Sequence, residues 1–179
     1  MVYLFLADGF EEIEALTPLD MLRRAGIETL AVSINPTREV RGAHGITVIA
    51  DTVADGLTPS DVEAVILPGG LPGADNLRVN HKVNEFIDLA DKEGKLICAI
   101  CAAPRILGEK GLVKGKLAVC YPGFEGYLEG AEISSLGCVT DGNIITAKGM
   151  GKANDFALAI IEKIKNKEAA DKIKNSVFA

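Results

Sequence analysis

The chain has no tryptophan and, among its 179 residues, only two histidines and four cysteines. Neither His44 nor His81 stands in metal-ligand spacing with the cysteines, so we expect no bound metal. The cysteines lie in or beside apolar stretches, which is unlike the framework of a secreted disulfide-rich protein, and we expect a reducing cytosol. These four residues are Cys98, Cys101, Cys120 and Cys138.

Basic residues are also few, with 19 Lys and Arg against 25 Asp and Glu, and a net charge of −6. This balance disfavours nucleic acid or an anionic membrane as a partner. The first apolar run, residues 2–6, is short and has no basic lead, so we expect neither a signal peptide nor a membrane span. The length and the apolar fraction of 48% fit a single globular domain over residues 1–179.

Apolar strands alternate with amphipathic helices along the chain. Because these strands are almost continuously apolar, the sequence predicts an α/β fold with a mainly parallel sheet covered on both faces. In such folds the ligand crevice lies at the carboxyl ends of the strands. We expect buried strands at 2–6, 27–34, 62–67 and 96–100, short strands within 35–51, a hairpin-like region at 117–147, and helices at 10–26, 80–93, 104–108, 152–165 and 167–174.

Cys101 lies where the strand at residues 96–100 passes into a helix opened by Pro104. A side chain at such a sharp turn projects above the sheet, as at a nucleophile elbow. Helix N-terminal amides would favour its thiolate and lower the pKa from about 8.5 to between about 3.5 and 7.5. Alternatively, Cys101 is a small buried hydrophobe at a tight turn.

Two other segments end strands in the same way. Residues 8–14 follow the first strand, and residues 68–73 follow the third with three glycines in six positions. Glycines there allow backbone amides to approach a ligand closely. Because the carboxyl ends of parallel strands share one edge, these segments should converge on Cys101, which favours a functional cysteine.

Four motifs, at residues 9–14, 67–70, 99–104 and 156–161, together resemble the ThiJ/PfpI superfamily, in the branch around the human parkinsonism-associated deglycase. The resemblance runs nearly end to end. It implies a flavodoxin-like (class I glutamine-amidotransferase-like) three-layer sandwich, usually a homodimer, with Cys101 as the reactive cysteine. It also implies that Glu14 hydrogen-bonds the sulfur and that the amides of Gly70 and Ala102 face a developing oxyanion.

A carboxyl group against a thiolate should have a raised pKa, because two like charges in contact ionise together only at a cost. Glu14 would then donate a hydrogen bond and move protons. The alternative is that Glu14 is a solvated first-turn acid that complements the helix dipole. We assign that second role to Glu11 and Glu12.

The chain departs from the family pattern at Tyr121, where several relatives carry a histidine beside the cysteine. A Cys–His dyad is therefore poorly supported. Tyr121 would donate a hydrogen bond to substrate or pack as a lid residue. His44 lies in a Gly-Ala-His-Gly bend where relatives often have an arginine, and is either a solvent-exposed turn residue or a residue at a neighbouring protomer's active-site mouth. Cys98 and Cys101 form a C-x-x-C pair, but Cys98 lies in mid-strand and we expect no disulfide between them.

The resemblance implies a cysteine-dependent enzyme for small reactive carbonyls, a glutathione-independent glyoxalase or deglycase that converts methylglyoxal to lactate without a cofactor. A different class of function is a redox-sensing stress protein or chaperone that uses an oxidisable Cys101. A third is an intracellular peptidase or amidase.

Overall fold

A computed structural model describes residues 1–179 and contains eleven strands. Four of the main-sheet strands are buried along their whole length, or nearly so, as their apolar sequences predict. In chain order the strands are β1 (Val2–Leu6), β2 (Thr29–Ser33), β3 (Glu39–Arg41), β4 (Thr47–Ile49), β5 (Thr52–Val53), β6 (Ala64–Leu67), β7 (Leu96–Ile100), β8 (Leu117–Ala118), β9 (Glu132–Ile133), β10 (Cys138–Asp141) and β11 (Ile144–Ala147).

Six α-helices accompany the strands. Three of them begin with a side-chain cap: the Glu11 carboxylate accepts the Glu14 amide at 2.7 Å, the Asn80 side chain accepts the Val83 amide at 3.1 Å, and the Asn166 side chain accepts the Ala169 amide at 2.9 Å. No helix combines the length and the apolarity needed to cross a membrane. The helices are α1 (Glu12–Arg24), α2 (Gly73–Val79), α3 (His81–Lys92), α4 (Pro104–Glu109), α5 (Ala153–Ile164) and α6 (Lys167–Ser176).

The main sheet has seven strands in the order β10-β11-β7-β6-β1-β2-β5, and all neighbours are parallel except the edge pair β10–β11. Its five central strands follow the flavodoxin-like order 2-1-3-4-5. The chain reverses direction across the sheet between β1 and β6, which opens a crevice at their carboxyl ends. The predicted α/β fold with a mainly parallel sheet is confirmed.

Each face of the sheet is covered by its own apolar core. One core joins alternate strand residues such as Phe5, Leu67 and Ala99 to α2, α3 and α4. The other joins the intervening strand residues, including Leu4 and Cys98, to α1, α5 and α6. The three layers fix where α1 and α4 approach the sheet edge.

Two local expectations were wrong. Residues 73–79 form α2, which the glycines and prolines of residues 68–73 concealed, because Gly and Pro are poor helix formers. The strands β8 and β9 pair parallel to each other, so only β10 and β11 form the hairpin of the 117–147 region.

Candidate active site

The backbone turns sharply at Cys101, between the end of β7 and the start of α4. Cys101 has φ +65°, in the left-handed region that residues other than glycine rarely adopt. Its amide donates to the Ala147 carbonyl at 2.9 Å, and its carbonyl accepts the Tyr121 amide at 2.8 Å. Strain of this kind concentrates at functional sites, and it gives Cys101 the geometry of a nucleophile elbow.

Three chain-distant segments surround the Cys101 sulfur. The amides of Gly70 and Ala102 donate to it, and the Glu14 carboxyl is hydrogen-bonded to it. Glu14, only 1% exposed, also accepts the Gly69 amide at 2.9 Å and a hydrogen bond from the Met150 amide. The structure therefore brings together the four residues that the resemblance places at the reactive site, namely Cys101, Glu14, Gly70 and Ala102.

Gly69 permits this close approach. A Cβ atom at this position would lie 2.5 Å from Glu14 Oε2 and 2.6 Å from Cys101 Cβ, distances that real Cβ atoms do not show. Gly70 has φ +86° and is packed against the backbone of residues 9–11, so a side chain there would be strained as well as crowded. Gly69 is therefore required for the acid and the thiol to touch, and Gly70 for the close packing of this segment against residues 9–11.

The direction of the pKa shift agrees with the sequence expectation for Glu14 and differs from it for Cys101. Burial, above all, raises the pKa of Glu14 to about 7. Burial and then the negative charge of Glu14 raise the pKa of Cys101 to about 12, although the Gly70 and Ala102 amides oppose this. The expected lowered thiol pKa is therefore wrong, because removal from water and a neighbouring carboxylate outweigh the amides. At neutral pH Cys101 keeps its proton while Glu14 is about half ionised.

A pocket of about 290 Å³ opens above the sulfur. Tyr121 and His44, the two further candidates from the sequence, both line it. The Tyr121 side chain is half exposed at the rim, which leaves both of its sequence interpretations open. The full lining is Glu11, Ala43, His44, Gly70, Leu71, Cys101, Ala102, Tyr121 and Phe124.

Glu12 is buried, so its interpretation as a solvated first-turn acid is wrong. Its carboxylate accepts the His44 backbone amide at 2.7 Å and contacts His44 Nδ1 at 2.7 Å, which ties the turn between β3 and β4 to α1. Burial raises the pKa of Glu12, but the hydrogen bonds from the His44 side chain and from backbone amides lower it overall. The same contact raises the pKa of His44.

The chain's nearest approach to a metal-ligand cluster is formed by Glu11, Glu12 and His44, whose ligand atoms lie within 4.8 Å of one another. Glu12 and His44 Nδ1 are already bonded to each other, and the Glu11 carboxylate caps α1. Each of these three residues therefore already uses at least one of its donor atoms within the protein.

The other three cysteines are placed differently from Cys101. Cys98 is fully buried in the core that includes α1 and α5, and all four thiols are free. Burial raises the pKa of Cys98, and it raises those of Cys120 and Cys138 to about 11. Only Cys101 has its sulfur at the pocket.

Sequence reasoning missed the apolar wall of the pocket, formed by Leu71 and Phe124 beside Tyr121. It also missed Arg105, whose buried guanidinium lies 5.6 Å from the centroid of the Phe124 ring. Phe124 lies in an irregular segment without periodicity. Its closeness to Tyr121 in the sequence was therefore the only signal that could have placed it at the pocket.

Strand order and elbow together place the chain among flavodoxin-like α/β proteins that carry a cysteine at the nucleophile elbow. Comparison with known families narrows this class. The model of the DJ-1/PfpI family matches residues 1–163, and the chain belongs to that family.

Individual relatives agree with this membership. The chain is 35% identical over 167 residues to protein DJ-1 homolog B of Arabidopsis thaliana, with 92% of the chain aligned to only 38% of that longer protein. It is 31% identical over 152 residues to a deglycase of Pyrococcus abyssi, covering 84% of the chain and 90% of the relative. The solved structure of oxidized Toxoplasma gondii DJ-1 superposes with a TM-score of 0.95 at 35% identity, covering 99% of this chain and 97% of that one.

The coupling between Glu14 and Cys101 predicts how alkylation of the thiol depends on pH. With iodoacetamide, the wild-type rate should rise with a midpoint above the ordinary value of about 8.5. In Glu14→Gln the midpoint should fall, because the carboxylate charge that raises the pKa of Cys101 is gone.

Cys101→Ser supplies the background from the other thiols, and Glu168→Gln on the terminal helix is the matched control. A wild-type midpoint below about 8 would contradict the raised pKa. A midpoint that stays the same in Glu14→Gln would show that the two groups are uncoupled.

Proposed function

We propose that this chain is a cysteine-dependent enzyme that converts small 2-oxoaldehydes to 2-hydroxy acids without glutathione, as in methylglyoxal to lactate. The proposal rests mainly on the Glu14 carboxyl group, which is hydrogen-bonded to Cys101 Sγ and has a pKa of about 7. A general base works best when its pKa lies near the operating pH. The relative from Pyrococcus abyssi named as a deglycase supports chemistry on reactive carbonyls.

In the first step the Glu14 carboxylate takes the thiol proton as Cys101 Sγ adds to the aldehyde carbon. The proton then passes to the new oxyanion, which gives a neutral hemithioacetal and restores the Glu14 carboxylate. No preformed thiolate is needed, which agrees with the raised pKa of Cys101. The amides of Gly70 and Ala102 converge on the reacting sulfur and donate to the oxyanion that develops beside it. Preorganised donors of this kind contribute about 3 to 4 kcal/mol each.

In the second step Glu14 moves a proton from the former aldehyde carbon to the neighbouring carbon through an enediol. The hemithioacetal becomes a 2-hydroxy thioester, so one carbon is oxidised as its neighbour is reduced. Water then cleaves the carbon–sulfur bond, which releases the 2-hydroxy acid and restores the thiol. The net change is the addition of water, and no oxidant or cofactor is required.

Methylglyoxal turnover tests this mechanism. The value of kcat/KM should rise with pH through a midpoint near 7, as Glu14 loses its proton and becomes the base. Glu14→Gln should lower kcat by about 10²- to 10⁴-fold, the usual contribution of a general base. Cys101→Ser should show no turnover, and Glu168→Gln should match the wild type. Full activity in Cys101→Ser would rule the mechanism out.

A redox sensor is the second candidate function, because Cys101 is partly exposed at the pocket while Cys98 and Cys120 are buried. The similar Toxoplasma gondii protein was solved in an oxidized form. Against this role, the raised pKa of Cys101 slows oxidation, since peroxide reacts with the thiolate. A peptidase has no specific support, because Tyr121 stands where a catalytic histidine would be needed.

Mild peroxide treatment followed by peptide mass spectrometry separates the sensor from the enzyme. If the enzyme proposal is right, Cys101 should gain oxygen no faster than Cys138, the other partly exposed thiol. Early and selective oxidation of Cys101 would favour the sensor. Cys101→Ser verifies the assignment of the modified peptide.

The same proposal treats residues 1–179 as one domain that acts in the cytosol as a homodimer. Three isoleucines support an interface: Ile46 and Ile49 beside the β3–β4 turn are 54% and 60% exposed, and Ile13 on α1 is 46% exposed. The Glu12–His44 contact joins these two elements, so the three side chains lie on connected surfaces. Apolar groups exposed together mark sites of association.

Light scattering should give twice the chain mass of 18.9 kDa for the wild type. Ile49→Asp should shift the mass towards the monomer, because a charge in the proposed interface would be buried unpaired. Ile133→Asp, on β9, is the control for an exposed isoleucine elsewhere and should remain dimeric. A monomeric wild type would end the dimer proposal.

A further inference from the structure

We infer that the pocket selects neutral 2-oxoaldehydes with a bulky apolar substituent, such as an aryl group, and that Phe124 is the residue that determines this specificity. The inference rests on the proposed function, because it names the substrate class of the same Cys101 site. Methylglyoxal would then be a minimal substrate.

The first support is the size and lining of the pocket. Its volume of about 290 Å³ is close to the lower end of the roughly 300 to 1,000 Å³ of small-molecule pockets, and six of its nine lining residues are hydrophobic. Leu71, Tyr121 and Phe124 form the apolar part of the wall beside Cys101. The methyl group of methylglyoxal would leave most of this surface uncovered, whereas an aromatic ring would bury it.

The second support is that the Phe124 wall is held in place. The Arg105 guanidinium lies 5.6 Å from the Phe124 ring centroid, which is within cation–π range, and Arg105 is only 7% exposed. Asp75 on α2 pairs with this guanidinium, and the Phe124 amide donates to the Tyr121 carbonyl at 3.0 Å. A wall fixed before the ligand arrives loses little entropy on binding.

The third support is the charge at the rim. The titratable side chains that line the pocket beside Cys101 and Tyr121 are Glu11 and His44. His44 is already bonded through Nδ1 to the buried Glu12 carboxylate, and the Glu11 carboxylate repels anions. A neutral aldehyde therefore suits this entrance better than a phosphorylated or carboxylated one.

The test compares phenylglyoxal, which yields mandelate, with methylglyoxal, which yields lactate. Initial rates limit the arginine modification that phenylglyoxal causes. In a hydrophobic pocket one added methylene changes kcat/KM by about 10- to 200-fold, so the wild type should favour phenylglyoxal by about 10-fold or more. Phe124→Ala should lower this preference by about 10-fold, mainly by raising KM for phenylglyoxal.

Phe124→Leu keeps an apolar wall and should give an intermediate preference, and circular dichroism checks that both variants fold. Tyr127→Ala is the matched control, because this ring also lies near Arg105, at 5.9 Å, but does not line the pocket. An equal fall in Tyr127→Ala, or a preference unchanged in Phe124→Ala, would overturn the inference while leaving the proposed function in place. A wild type that turns over neither aldehyde would overturn the proposed function as well.

Discussion

The contact between the Glu14 carboxyl and the Cys101 sulfur is the interaction on which the site depends. It needs a helix that follows β1 to reach over the sheet edge, a strained turn after β7, and a segment after β6 that has no side chain at Gly69. These requirements come from three distant parts of the chain, and the parallel sheet satisfies them together because its carboxyl ends share one edge. The fold therefore brings the three segments close together, and the missing side chain at Gly69 lets the Glu14 carboxyl group touch the Cys101 sulfur.

This contact also decides which chemistry is available. Glu14 and Cys101 both hold their protons more tightly than in water. Burial and the neighbouring charge of Glu11 raise the pKa of Glu14, while burial and the charge of Glu14 raise the pKa of Cys101. In the proposed mechanism the thiol therefore keeps its proton at rest and becomes a nucleophile only as Glu14 accepts that proton. Such a site would protect the cysteine from random oxidation and would still permit attack on a bound carbonyl, which is the reason that we propose an enzyme before a sensor.

The sequence was sufficient for the main strands, for every helix except α2, and for the elbow, because Pro104 and the run before Cys101 are local signals. The sequence was insufficient where the burial of a side chain determines its pKa or its contacts. The sign of the thiol pKa shift depends on how deeply Cys101 and Glu14 are buried, which no local pattern records. Likewise, Glu12 has the pattern of a dipole-complementing acid, yet the β3–β4 turn covers it. The wall formed by Phe124 depends on Arg105, a contact made only in three dimensions.

Different interactions stabilise the two sides of the pocket, the wall at Phe124 and the rim at His44. Phe124 is fixed by a buried guanidinium that stays charged at every accessible pH. His44 is fixed by an ion pair that lowers the pKa of Glu12 and raises the pKa of His44. The stabilisation from this pair is lost as the pH falls through the pKa of Glu12, and it weakens as the pH rises through that of His44. The wall that would recognise the substrate is therefore insensitive to pH, while the rim changes with it.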